Sequence, residues 1–165
     1  MRRIYVLIFM SLFILAGCSD QDEAQAVAEL VENGARHAEA HRIGDLLDLA
    51  TTDFTATPGH YNRGATRGIL YRAFQYYGNF TIHYPRPAIR IEDPADGSLV
   101  TMYFVLVKQD ANIPGLEDLA DDPRKWLDTV GEKADLYQLK LDLVKKDKKW
   151  RVRQAHIEGF KGTGF

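Results

Sequence analysis

LYQLKLDLVKKDKKWRVRQAHIE, residues 136–158, reads as two strands joined by a charged turn. With Asp147 and Lys148 as a two-residue loop, Leu143 faces Val152, Leu141 faces Gln154, Leu139 faces His156 and Tyr137 faces Glu158. The opposite face then pairs Val144 with Arg151, Asp142 with Arg153 and Gln138 with Ile157, setting an acid across from a base. A one-residue slip exchanges the faces of one strand, so a register that satisfies both the apolar ladder and the charge pair predicts an antiparallel hairpin.

At the other end of the chain, Arg2 and Arg3 precede an apolar run over 4–16. That run is too short to span a bilayer with margin and suits the core of a signal peptide. It closes on Leu15-Ala16-Gly17-Cys18, which resembles the lipobox of bacterial lipoproteins, in which the cysteine receives the lipid. The expectation is a signal peptide over 1–17, lipidation at Cys18 and a polar tether over 18–23. The domain would follow over 24–160, with a tail over 161–165. An ordinary secretory signal or an uncleaved anchor is the alternative. Ser19 stands where lipoproteins retained in the inner membrane commonly carry aspartate. This resembles an outer-membrane address, facing the periplasm of a Gram-negative envelope. Cys18 is the only cysteine, so no intramolecular disulfide can form and stability must come from packing. The formal charge of −2 becomes more negative once Arg2 and Arg3 leave, which gives nucleic acid no basic field to meet.

Between these ends the apolar spacing predicts elements in order. An amphipathic helix spans 24–43, and a shorter one follows Gly44-Asp45, with Asp45 as cap. A short strand covers 51–57. Asn62 caps a third helix running to Tyr77, where Gly78 ends it. Residues 79–92 read as a strand broken at Pro85-Arg86-Pro87, and 99–107 as a central strand apolar on both faces. The long connection 109–132 calls for structure of its own. There Asp122-Pro123 starts a helix presenting Trp126, Leu127 and Val130, and Gly131 stops it.

This order, with Gly44-Asp45-Leu46-Leu47, Asp53-Phe54 and Lys149-Trp150-Arg151-Val152, resembles the nuclear transport factor 2-like superfamily, which includes ketosteroid isomerase, scytalone dehydratase and SnoaL-like cyclases. The resemblance implies an α+β fold: three N-terminal helices packed in a strongly curved antiparallel sheet, a cone-shaped α+β barrel. A partly helical insertion would precede the last hairpin. It also implies a pocket at the open end of the cone. There Tyr137, Leu139, Leu141, Trp150, Val152, Gln154, His156 and Glu158 are the ligand-binding candidates of the concave face. His60, Tyr61, His83, Tyr84 and Trp126 are candidates for its rim.

A histidine of near-neutral pKa beside a tyrosine can act as base and oxyanion donor, yet a buried histidine satisfied by a neighbour is the simpler account of His156. His37 and His41 stand in HAEAH, which is not the zinc-protease motif, and no third ligand is assignable. No metal and no cofactor is expected. The leading expectation is a lipid-anchored, periplasm-facing domain that binds a small apolar ligand or an envelope partner without catalysis. Its rivals are an isomerase, dehydratase or cyclase acting in the cone, and a structural component that dimerises through its outer sheet face.

Overall fold

A computed structural model describes residues 19–92, 96–108, 118–130 and 134–159. The stretch expected as a signal peptide, Cys18, Gly131 and the tail over 161–165 lie outside the described residues. The elements are α1 (Ser19–Glu39), α2 (Ile43–Asp48), β1 (Ala50–Thr57), β2 (Tyr61–Asn62), α3 (Arg63–Tyr77), β3 (Phe80–His83) and β4 (Ala88–Ile91). They continue with β5 (Gly97–Lys108), α4 (Asp118–Asp121), α5 (Pro123–Val130), β6 (Ala134–Lys146) and β7 (Lys149–Gly159). The strands form one curved seven-stranded sheet in the order β2-β1-β7-β6-β5-β3, with β4 also on β5. The sheet is antiparallel except at β1, which runs parallel to β7. Prolines 85 and 87 divide one long edge into β3 and β4, which pair with opposite ends of β5.

Residues 19–23 of the stretch expected as a tether belong to the helix Ser19–Glu39. Glu23 fastens the first turn to the sheet, accepting the Trp150 indole N–H at 2.9 Å and pairing with the Lys145 ammonium. At the other end, Arg42 N donates to His37 O at 2.8 Å and His41 N donates to Ala38 O at 2.9 Å. This closes the helix with His41 at φ 54°, a left-handed position that glycine more often fills. Stacking of the His41 ring on Phe74 at 5.0 Å and Phe80 at 5.4 Å holds it there. The corner therefore falls before Gly44, which lies with Asp45 inside α2, and Asp45 is not its cap. Asn62 caps α3 as expected, its side chain accepting from Ala65 N at 2.9 Å.

The hairpin turns at Asp147 (φ 50°) and Lys148 (φ 62°), the two positive angles of a type I′ turn. From Lys146–Lys149 to Leu143–Val152 the pairs are those of the expected register. Beyond them Asp142 pairs with Gln154, leaving Arg153 as the extra residue of a β-bulge. Leu141 then faces Ala155, Lys140 faces His156, Leu139 faces Ile157 and Gln138 faces Glu158. The expected pairs Leu141–Gln154, Leu139–His156, Tyr137–Glu158 and Gln138–Ile157 are thereby replaced. The Asp142–Arg153 ion pair survives, because the bulged arginine still reaches Oδ2 through Nη2 at 2.6 Å and Nε at 3.2 Å.

A candidate groove on the convex face

The bulge decides which residues reach which side of the sheet. On the concave side, Val27, Leu30 and Val31 of α1 pack with Phe54 against Val100, Met102, Phe104, Tyr137, Leu141, Leu143, Trp150 and Val152. Of the ligand-binding candidates, Tyr137, Leu141, Trp150 and Val152 are thus buried core, and Leu139 packs partly buried against it. At the end of this core the hydroxyls of Tyr77 and Tyr137 meet at 2.5 Å, with Phe104 stacked on Tyr137 at 5.3 Å. Burial pushes both phenols above their ordinary pKa, and the Asp135 carboxylate raises them further. Both stay protonated at neutral pH and act as hydrogen-bond donors.

Gln154, His156 and Glu158 alternate with Ala155, a core neighbour, and so stand on the convex face, a correction to the inward placement expected for them. The extra residue at Arg153 is the physical cause. Two rows of neighbours cross this face: Thr57, His156, Lys140 and Thr101 in one, and Thr55, Gln154, Asp142 and Leu99 in the other. Between them lies an open groove of about 430 Å³ lined by Thr57, Leu99, Val100, Thr101, Lys140, Leu141, Asp142, Gln154 and His156. Its volume is that of a site for a small molecule.

The Thr57 hydroxyl donates to Ala155 O at 3.3 Å and lies 2.9 Å from His156 Nδ1. The Thr57 hydroxyl thus engages the Nδ1 edge of the ring and leaves its Nε2 edge for a ligand. Lys140, the cross-strand neighbour of His156, supplies an ammonium donor on the same face. Asp142 is already engaged by Arg153. The groove can therefore offer His156 Nε2 to a ligand's polar group and hold an oxyanion or hydroxyl at Lys140, with Leu99 along its apolar part.

The rim candidates do not converge. His60 is exposed at the turn before β2, and Tyr61 is exposed on β2. His83 pairs with Val105 and shares the outer face. Tyr84 packs partly buried against the concave core, and its pKa is raised by burial and then by the charges of Glu32 and Glu39. Trp126, 4% exposed, packs with Leu119, Val105, Val107, Ala134 and Leu136. These residues form a second core on the convex face, so the described part of the insertion, α4 and α5, packs on that face. Among the described residues no three metal-ligating side chains gather in one place. Thr57, Leu99, Thr101, Lys140, Tyr77 and Asp135 were not singled out from the sequence. One signal for the groove was available: Trp150 and Val152 are followed by Ala155 and Ile157, so the two-residue apolar period slips by one between 152 and 155.

No family model and no curated protein matches this chain. Solved structures do match. Bd1075 of Bdellovibrio bacteriovorus superposes with a TM-score of 0.60 at 14% identity, over 84% of this chain and 41% of that one. This chain therefore spans less than half of that protein. An NTF2-like protein with a cystatin-like fold from Novosphingobium aromaticivorans gives 0.61 at 12% identity, over 87% of this chain and 86% of the other. An NTF2-like protein of unknown function from Pseudomonas putida gives 0.63 at 11% identity, over 86% and 89%. At such identities the likeness establishes the fold, a nuclear transport factor 2-like cone, and leaves activity to the residues.

Proposed function

We propose that this nuclear transport factor 2-like domain is the periplasm-facing part of a bacterial lipoprotein. Cleavage before Cys18 and acylation of that cysteine would anchor it, and the convex groove would bind a small hydroxylated or carboxylated ligand without catalysis. The observation that carries the reading is the His156 ring, oriented by Thr57 beside Lys140 over a groove of about 430 Å³. Binding without chemistry follows from the openness of the site. A histidine in an open groove lacks the enclosed surroundings in which a base and its partner accelerate a reaction. The Asp142 carboxylate, which also lines the groove, is held by Arg153.

The enzymatic reading survives on a different observation, the pair of protonated hydroxyls of Tyr77 and Tyr137 at the end of the filled core. Native mass spectrometry of the protein purified from its own envelope tests both. A retained ligand that is lost from His156→Ala and Lys140→Ala, yet kept by Tyr77→Phe, supports the groove. The reverse pattern moves the site to the tyrosines. Each groove variant should weaken binding about tenfold, the worth of one hydrogen bond near 1.4 kcal/mol. The same spectra give the mature mass, and an unacylated amino terminus removes the anchor from the proposal.

A further inference from the structure

The outer face of α3 is built as an interaction surface. The helix, RGATRGILYRAFQYY, carries three arginines and no acid in a protein whose formal charge is −2. Arg63 is engaged by Asp48 at 2.5 Å. Arg67 and Arg72 are exposed and have no ion pair or hydrogen bond among the described residues. Tyr71 and Tyr76, 59% and 73% exposed, lie on the same helix. Lys108 sits over the Tyr76 ring at 5.2 Å, which orders that ring and extends the positive charge. At 3.6 residues per turn, Arg67 and Tyr71 form one flank of the face and Arg72 and Tyr76 the other, with Gly68 between them. A Cβ at Gly68 would meet nothing within 4 Å, so no internal contact accounts for this poor helix former in mid-helix.

We propose that this face binds an acidic peptide segment of a partner protein, whose carboxylates meet Arg67 and Arg72 while its backbone lies along the Gly68 notch between the tyrosines. Exposed tyrosine and arginine together are the residues that dominate protein interfaces. A second copy docking helix to helix would set arginines against arginines. A lipid surface would find no leucine, phenylalanine or tryptophan among the exposed side chains of α3 to bury.

The test uses the full-length chain and fluorescein-labelled poly-L-glutamate of α3's own length, read by anisotropy at low salt. Phosphatidylglycerol vesicles and dextran sulfate serve as competitors of other classes. Joint Arg67→Glu and Arg72→Glu replacement should weaken binding about tenfold or more, and Gly68→Leu should weaken it with the circular dichroism and melting temperature maintained. Lys148→Glu with Lys149→Glu at the hairpin tip, and His156→Ala in the groove, should leave it unchanged. Absence of binding by the unaltered protein, or equal loss from the tip variant, would overturn the proposal. So would vesicles or dextran sulfate displacing the peptide at matched charge.

Discussion

Glu23 shows how much a single side chain can hold in this molecule, because it ties the first turn of α1 to both strands of the last hairpin. Its carboxyl is held below the usual range, chiefly by the hydrogen bond from Lys145, against the opposing effect of burial. A depressed carboxylate pKa makes a contribution that is fully present above the unfolded value and lost as pH falls through the folded one. Glu23→Ala should therefore cost about 1–2 kcal/mol at pH 7, with the difference from the parent shrinking below about pH 4 in urea titrations. An equal deficit at both pH values would mean that packing, not the ion pair, is lost. At the hairpin tip the opposite change is expected. Lys148 adopts φ 62° in a type I′ turn where glycine is favoured, so Lys148→Gly should stabilise the protein by about 0.5–1 kcal/mol in the same titrations.

Among the elements, the insertion before β6 shows a case where the sequence supplied the structure but not its location. Asp122 caps α5 by accepting from Lys125 N at 3.1 Å, as the Asp-Pro step suggests, and Trp126 is buried as its bulk requires. The face it covers was not legible, because the β5 and β6 segments are apolar on both sides and give no direction. Trp126→Ala should cost about 3–5 kcal/mol by emptying the convex core, without altering groove binding once corrected for the unfolded fraction. If binding alone fails, the insertion reaches the groove as well. The hairpin repeats the lesson at finer grain. Asp147-Lys148 and the first pairs followed from alternation and charge, whereas the bulge hid behind an ion pair that both registers satisfy. His156 was assigned to the wrong side, since one inserted residue reverses every side chain beyond it.

At the scale of the whole molecule the sheet divides two tasks, with a packed apolar interior on its concave side and a polar groove on its convex side. The open end of the cone was the expected ligand site, so the division needs a direct test there. Phe104, 8% exposed, stacks on Tyr137 beside the paired hydroxyls, and removing its ring should open an apolar cavity capped by those donors. Phe104→Ala is expected to lose about 3–5 kcal/mol and then to recover part of it in the presence of phenol, whose ring fills the space and whose hydroxyl meets the tyrosine pair. The parent protein, already filled by its own phenylalanine, should show no phenol-dependent rise in melting temperature. If the parent is stabilised by phenol as strongly as the variant, and His156→Ala does not abolish the effect, the cone holds a pocket of its own. The site would then have to be sought at Tyr77 and Tyr137 in place of the convex groove. If only the variant responds, the interior is a core, and among the described residues the groove beside His156 and Lys140 stands as the candidate for a small ligand.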